Sequence, residues 1–151
     1  EERPFKVIHI VELYDKFLRE GKLKLDKYKN TEPVTFHDSC KIGRCGGIYD
    51  EPRRVIMASC KDFREMHPNR EYNYCCGGGG GFALMSKYNF LDFRMKTYGK
   101  LKMEQVKNTG ASTLITICAN CKRQFLDMAS YYNLNVNVSG LSEIVANALV
   151  Y

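Results

Sequence analysis

Two adjacent cysteines followed by a run of glycines form the part of this sequence best suited to chemistry. Cys75 and Cys76 precede five consecutive glycines, Gly77 to Gly81. Adjacent side chains do not easily enter one tetrahedral zinc site, because the backbone between them must turn sharply, whereas a cluster of several irons offers separate ligand positions. Glycine lacks Cβ, so the N–H groups of Gly77 and Gly78 can approach thiolate or sulfide closely. The pattern indicates thiolate–metal chemistry and favours iron and sulfur.

Three further cysteines are spaced widely around this pair. Cys40 lies upstream with 34 residues between it and Cys75, and Cys118 follows Gly77 after 40 residues, with Cys121 closing a Cys-x-x-Cys pair. A ferredoxin-type cubane takes most of its ligands from one compact run, which this spacing does not match. The Cys-x-x-Cys pair alone decides little, because redox and zinc sites share it.

The composition fits one domain that keeps its thiols reduced. The chain has 151 residues, 44% of them apolar, with seven cysteines and a net charge of +6. A core of that size does not need disulfides, and an odd cysteine count without a hydrophobic leading segment favours a reducing, cytoplasmic compartment and metal ligation. No apolar stretch is long enough to span a bilayer. Lys and Arg are interspersed with Asp and Glu, so we expect no nucleic-acid partner and attribute the positive balance to compensation of an anionic cluster.

Two predicted strands carry cysteines at their carboxyl ends. Residues 34–37 are β-branched and aromatic and lead through Asp38 and Ser39 to Cys40, while the apolar run 113–117 ends directly on Cys118. A continuous apolar run is typical of a strand buried on both faces of a parallel sheet. Because the carboxyl ends of parallel strands meet at one edge, where such folds bind ligands, we expect both cysteines there.

Strands and helices alternate along the sequence, which predicts an α/β domain with a mostly parallel sheet flanked by helices and a cluster site at the carboxyl ends of the strands. Helical spacing covers residues 11–19, 52–59, 82–108, 122–132 and 141–149, with a kink expected at Gly99. Further short strands are predicted at 63–66 and 136–138. Residues 5–10 fit either a buried strand or the approach to the first helix.

The cysteine pattern and the segments between the cysteines together resemble the cysteine-rich CCG domain of heterodisulfide reductase catalytic subunits. His37-Asp38-Ser39-Cys40 matches a His-Asp-x-Cys strand end, and Glu51-Pro52-Arg53 matches a Glu-Pro-Arg segment. The segment 65–71 precedes Cys75-Cys76 and its glycines as it does in the family. The resemblance covers almost the whole chain.

This resemblance implies a noncubane [4Fe-4S] cluster that binds a substrate sulfur at iron and splits a disulfide or trisulfide in two one-electron steps. It implies a disulfide-type small molecule or a thiol-carrier protein as substrate. The implied partners are other subunits of a membrane-associated electron-transfer complex fed by a respiratory chain, with this domain on its cytoplasmic face. The implied ligands are Cys40, Cys75, Cys76, Cys118 and Cys121, supported by Gly77 and Gly78.

Two features depart from the family pattern. Ala119 stands where proline often follows the first cysteine of the terminal pair, although the ligands themselves are present. Members usually carry two such domains, commonly beside ferredoxin-like modules. We therefore expect residues 1–151 to form a single CCG domain, the C-terminal, cluster-bearing part of a longer subunit. The Cys-Ala-Asn-Cys-Lys ending resembles the iron–sulfur subunit of the sulfite-reduction-associated membrane complex.

Two other functions stay open at this stage. Four of the thiolates could close a tetrahedral zinc site, which would make the domain a structural or docking module of a respiratory complex. A coordinatively saturated cluster would make it an electron relay without catalysis of its own.

Three residues outside the ligand set carry separate expectations. His37 is a candidate proton donor to a departing thiolate, or simply a strand histidine held by a backbone hydrogen bond. Cys45, in the glycine-rich loop after Cys40, is a candidate spare ligand or redox-active thiol, or simply a loop residue. Cys60 is expected to be a small buried apolar residue.

Overall fold

A three-stranded parallel sheet forms the centre of the fold and confirms the predicted α/β class. The computed structural model describes residues 4–79 and 90–151. The strands are β1 (Val34–His37), β2 (Thr113–Thr116) and β3 (Asn137–Gly140), in the spatial order β1-β2-β3. Every residue of β2 is buried, as expected for an apolar and β-branched run in the middle of a sheet.

Helices follow each strand and cover both faces of the sheet. They are α1 (Ile10–Arg19), α2 (Asp50–Ser59), α3 (Leu91–Arg94), α4 (Lys100–Thr109), α5 (Ala119–Tyr131) and α6 (Leu141–Ala148). Short 3-10 turns occupy Lys27–Lys29 and Arg70–Tyr72. Among the described residues, no helix combines the length and apolar character needed to cross a membrane.

Two apolar cores lie on opposite faces of the sheet. Neighbouring strand residues point to opposite faces, and Ile115 and Leu114 of β2 accordingly belong to different cores. Ile115 packs with buried residues of β1, α1, α2 and α6, which include Phe36, Val11, Ile56 and Val145. Leu114 packs with residues of α4 and α5 and with Cys76 and Cys121. Two of the predicted ligands, Cys76 and Cys121, are therefore part of the second core.

One predicted strand is wrong, and of the two alternatives for residues 5–10 the approach to the first helix is the one observed. Residues 5–9 form no strand and instead lead into α1, where the His9 ring nitrogen accepts a hydrogen bond from the Val11 amide and Glu12 accepts one from the His9 amide. Residues 63–66, predicted as a strand, contribute only an isolated bridge between Phe63 and Val34, made by backbone hydrogen bonds of Val34 with Asp62 and Arg64.

The helix after Cys118 begins earlier than its sequence pattern predicts. The prediction placed its start at residue 122, but Cys118 is extended and α5 begins at Ala119, so that Cys121 lies in the first turn. The last strand is likewise displaced, from 136–138 to Asn137–Gly140.

The part of the predicted helix 82–108 that the structure describes is helical. A π-helical turn, Met95–Gly99, joins α3 to α4, so the irregularity expected at Gly99 takes the form of an overwide turn ending there. The hydroxyl of Tyr132 donates to the Met95 carbonyl at 2.7 Å within this turn. Residues 82–89, the start of the predicted helix, lie outside the described residues.

A buried carboxylate joins α1 to α2. Asp15 is 1% exposed and accepts two hydrogen bonds from Arg54, at 2.6 and 2.9 Å, and one from Arg19 at 3.1 Å. The Arg54 hydrogen bonds lower the pKa of Asp15 from its usual value, against the opposing effect of burial. The ionised form therefore stabilises the fold at neutral pH.

Replacing this carboxylate tests the helix pairing. We expect Asp15→Asn to lower the free energy of unfolding at pH 7 by about 1–3 kcal/mol, because charged hydrogen bonds to Arg54 are lost. Since the folded pKa is depressed, the wild-type advantage holds above the unfolded pKa and disappears as pH falls through the folded one. Urea unfolding at pH 7 and in acid measures both effects, with Glu104→Gln on the exposed face of α4 as control. Equal stability of Asp15→Asn and wild type at pH 7 would contradict this role.

Candidate metal centre

The carboxyl ends of β1 and β2 bring two distant cysteine-bearing loops together. His37 pairs in register with Thr116, and just beyond it the Ser39 and Thr116 hydroxyls lie 3.2 Å apart in a hydrogen bond. Cys40 follows Ser39 directly, and Cys118 follows Thr116 by two residues. Both cysteines therefore leave the sheet at the same edge.

Two buried thiols and a histidine form the tightest cluster at this edge. The Sγ atoms of Cys76 and Cys121 are 3.3 Å apart, and both residues are 3% exposed. A ring nitrogen of His37 lies with these sulfurs in a group whose ligand atoms are all within 4.8 Å of one another. The three come from β1, the glycine-rich loop and the first turn of α5. The fold thus brings together residues separated by more than half of the chain.

The other five cysteines lie outside this tight group. Cys40 and Cys75 are exposed and Cys118 is half-buried, and none of them belongs to the tight group. Cys45 is exposed, with its amide bonded to the Cys40 carbonyl at 3.2 Å. Cys60 is buried at the end of α2 in the core on the other face of the sheet, as its sequence position predicts. All seven cysteines are free thiols.

The first glycines of the run direct backbone N–H groups at the sulfurs. The Gly77 amide donates to Cys75 Sγ at 3.3 Å and the Gly78 amide donates to Cys76 Sγ at 3.4 Å. Gly77 has a φ of +77°, and a Cβ there would lie 2.8 Å from Cβ of Tyr98. This backbone conformation and this proximity both exclude a side chain. Gly80 and Gly81 lie outside the described residues.

Gly78 is held against the helix that carries Cys121. A Cβ at Gly78 would lie 2.8 Å from Cβ of Gln124 and 2.9 Å from the Asn120 carbonyl oxygen. Glycine therefore allows the loop to approach α5 closely enough for Cys76 to reach Cys121.

Crowding makes these thiols reluctant to ionise on their own. The hydrogen bond to Cys121 and burial raise the pKa of Cys76 to about 12. The hydrogen bond to Cys76 and burial raise the pKa of Cys75 as well. A thiolate at such a position needs a positive partner, and a metal ion is the strongest one that a protein can recruit.

Asn73 links this thiol site to a buried polar group behind it. Its side-chain oxygen accepts from Lys102 Nζ at 2.7 Å, so its amide nitrogen faces Nδ1 of His37 at 3.1 Å and the Asp38 carbonyl at 2.8 Å. Burial, then the charges of Lys102 and Arg44, hold the pKa of His37 well below its usual value. Because Nδ1 accepts from the amide, His37 is neutral with its proton on Nε2.

Arg53 fixes the strand end in place. It donates to both oxygens of Asp38 at 2.8 Å and to both oxygens of Glu65, at 2.7 and 2.9 Å. The backbone amide of Arg70 donates to Asp38 as well, at 2.7 Å. The Glu-Pro-Arg segment thus ties the residues after β1 to the segment leading to the cysteine pair.

Sequence analysis missed Asn73, Lys102 and Gln105, which lie behind the site. A signal was present for the lysine. Met95, Gly99, Lys102 and Val106 recur at helical spacing and are all buried, which would have placed Lys102 on the inner face of α4. A lysine there was overlooked because lysine is rarely buried.

Comparison with known proteins agrees with this geometry. Residues 34–126 match the family model described as the CCG cysteine-rich domain, a range that includes every cysteine at this edge of the sheet. The chain belongs to the CCG cysteine-rich domain family.

Relatives of this CCG domain are parts of redox proteins. The chain is 34% identical over 149 residues to the Hdr-like menaquinol oxidoreductase iron-sulfur subunit 2 of Archaeoglobus fulgidus, covering 95% of this chain and 26% of the relative. It is 33% identical over 151 residues to one of the subunits of the dihydromethanophenazine:CoB–CoM heterodisulfide reductase of Methanosarcina mazei, covering 99% and 35%. It is 31% identical over 125 residues to the EtfAB:quinone oxidoreductase of Syntrophomonas wolfei, covering 82% and 17%.

The chain therefore spans about a third or less of the length of these relatives. The expected resemblance to the sulfite-reduction-associated complex stays a prediction.

Two neighbouring glycines test the close approach to α5. We expect Gly78→Ala to lower the free energy of unfolding by about 1–3 kcal/mol, because its Cβ must displace Gln124 and the Asn120 carbonyl. Gly79→Ala is the matched control, since its Cβ meets no described atom within 4 Å and should change stability by less than about 0.5 kcal/mol. Thermal or urea unfolding of the metal-free proteins measures the difference. Equal stabilities would show that the loop does not need to lie this close to α5.

Proposed function

We propose that this domain is the iron–sulfur site of a heterodisulfide-reductase-like oxidoreductase, holding a noncubane [4Fe-4S] cluster and reducing a disulfide-type substrate. The observation that carries the proposal is the Cys75-Cys76 pair, whose sulfurs accept N–H groups from Gly77 and Gly78 while Cys76 lies 3.3 Å from Cys121. Membership of the CCG family and the iron–sulfur names of its relatives support it.

The donor set suits a large cluster. Thiolates are the ligands that iron–sulfur clusters and zinc prefer. A closed zinc site takes four ligands, whereas this chain offers five motif cysteines, two of them adjacent in sequence. We assign all five as ligands: Cys40, Cys75, Cys76, Cys118 and Cys121.

The reaction is the reduction of a disulfide, RSSR′ + 2 e⁻ + 2 H⁺ → RSH + R′SH. When bound, the cluster supplies iron positions for a substrate sulfur and a route for single electrons. The exposed Cys40 and Cys75 leave one side of the site open to substrate. His37, neutral and protonated at Nε2, can donate a hydrogen bond to sulfur, and the exposed Cys45 lies close enough in sequence to Cys40 to serve as a thiol near the site.

A cavity next to Cys118 offers space for part of a substrate. It measures about 180 Å³ and lies beyond the carboxyl ends of β2 and β3, with apolar walls from Val11, Ile117 and Leu141 and with Lys122 beside them. A cavity of this size accepts a small organic substituent rather than a folded chain. We assign it to one arm of the disulfide, whose reacting sulfur would then lie beside Cys118.

The electrons come from partner subunits. The relatives are named as subunits or parts of oxidoreductases that use menaquinol, dihydromethanophenazine or quinone. We propose that this domain receives electrons from a respiratory chain through such a complex and acts on the cytoplasmic face of a membrane.

Zinc is the second candidate, favoured by one specific observation. His37, Cys76 and Cys121 already form a compact nitrogen–sulfur group, and one further cysteine would complete a tetrahedral site if the metal displaced the Nε2 proton of His37. The domain would then stabilise or dock a larger assembly without redox chemistry of its own.

Serine substitutions test the assignment of ligands. We expect Cys75→Ser and Cys76→Ser to lose most bound iron and sulfide after anaerobic loading, because a hydroxyl is a poor ligand for iron at neutral pH. Cys60→Ser is the matched control, since that thiol lies in the other core and should retain full loading with at most a modest stability loss. Iron and sulfide content and the visible absorption of each variant measure the outcome. Unchanged loading in both Cys75→Ser and Cys76→Ser would exclude the noncubane assignment.

Turnover separates catalysis from electron relay. We expect the loaded protein to consume two equivalents of a reduced one-electron dye for each organic disulfide cleaved to thiols. Cys45→Ser tests the role of that residue. Normal cluster loading with lost turnover would show that the Cys45 thiol takes part in the reaction. Normal turnover would show that Cys45 is only a loop residue. A loaded protein that exchanges electrons with the dye but cleaves no disulfide would be a relay.

A further inference from the structure

Lys102 is a fully buried cation without a carboxylate partner among the described residues. Its side chain is 0% exposed, and Nζ donates to the side-chain oxygens of Asn73 at 2.7 Å and Gln105 at 2.5 Å and lies 3.6 Å from Sδ of Met66. All three acceptors are neutral. Buried lysines are rare and are normally paired with an anion, so this ammonium requires an explanation.

The nearby carboxylate of Asp38 is not the anionic partner of Lys102. Asp38 is held by Arg53 through two hydrogen bonds of 2.8 Å, which satisfy its charge. Burial lowers the pKa of Lys102 to about 7, while negative charge on Cys76, Asp38, Cys75 and Cys121 acts to raise it. The anions able to stabilise a protonated Lys102 are therefore mainly the cysteines of the metal centre.

Asn73 places Lys102 directly behind that centre. One end of its amide accepts from Lys102, and the other end donates to His37, whose ring lies with the sulfurs of Cys76 and Cys121. Asn73 also precedes Cys75 by two residues. A charge on Lys102 therefore acts on the cysteine site across a short, water-excluded path in which electrostatic effects are weakly screened.

We propose that Lys102 is the internal countercharge of the cluster and raises its reduction potential. Reduction adds one negative charge at the cysteine site, and a fixed cation behind it stabilises the reduced form more than the oxidised form. Lys102 is thus a positioning and electrostatic residue for electron uptake rather than a catalytic one. The inference rests on the iron–sulfur assignment made above.

Potentiometric titration of the anaerobic, cluster-loaded protein tests this role. Lys102→Met removes the charge and keeps a chain of similar shape. We expect the equilibrium constant for reduction to fall about tenfold, which is 59 mV for a one-electron couple. The matched control is Lys107→Met, which removes the same charge from an exposed position of the same helix and should leave the potential near that of wild type.

A second variant keeps Lys102 in place. Gln105→Glu puts a carboxylate beside Nζ, and we expect it to lower the potential in the same direction because the ammonium is then paired. If the role of Lys102 were purely structural, neither variant would shift the reduction potential.

The outcomes are distinguishable. Potentials of Lys102→Met and Gln105→Glu that match Lys107→Met would overturn the inference while leaving the iron–sulfur assignment intact. If Lys102→Met does not hold the cluster, the potential of Gln105→Glu decides alone. A wild-type protein that binds no iron and sulfide would overturn both the assignment and the inference.

Discussion

Two buried thiols in contact beyond the carboxyl ends of β1 and β2 are the constraint around which this molecule is organised. Thiols in contact resist ionisation, as the raised pKa of Cys76 shows, and thiolates without positive partners would repel one another in a poorly solvated site. The free energy that holds them together must come from the rest of the fold and from what they bind. The cysteine site is accordingly supported by two buried cations and a glycine-rich loop that the sheet alone would not require.

These supports act at different depths. Gly77 and Gly78 bring N–H dipoles to the sulfurs, Arg53 neutralises Asp38 and fixes the strand end, and Lys102 provides an unpaired charge behind the site. Each part has a local cost, since glycine loses chain entropy on folding and a buried ammonium loses hydration. Such costs are typical of functional sites, where local stability is exchanged for chemistry. The polar residues behind the cysteines are therefore connected to them through Asn73 and His37.

The sequence predicted β1 to the residue and β2 to within one residue, because four to five consecutive apolar or β-branched residues have few alternatives to a buried strand. It also predicted that Cys40 and Cys118 leave the sheet at one edge. It placed a strand at 63–66, where only Phe63 forms a bridge, and it began α5 three residues late because a Cys-x-x-Cys pair resembles a loop. Helical spacing indicates the burial of Lys102, but its hydrogen bond to Asn73 could not be found from local pattern, since it joins segments far apart in the chain.

The central claim is that the cysteines at this edge hold iron and sulfide. Quantitation of iron, acid-labile sulfide and zinc in protein purified without oxygen tests it most directly. A [4Fe-4S] cluster predicts about four iron atoms and about four sulfides per chain with little zinc. A colourless protein with about one zinc per chain and no labile sulfide would contradict it and establish the closed tetrahedral site instead.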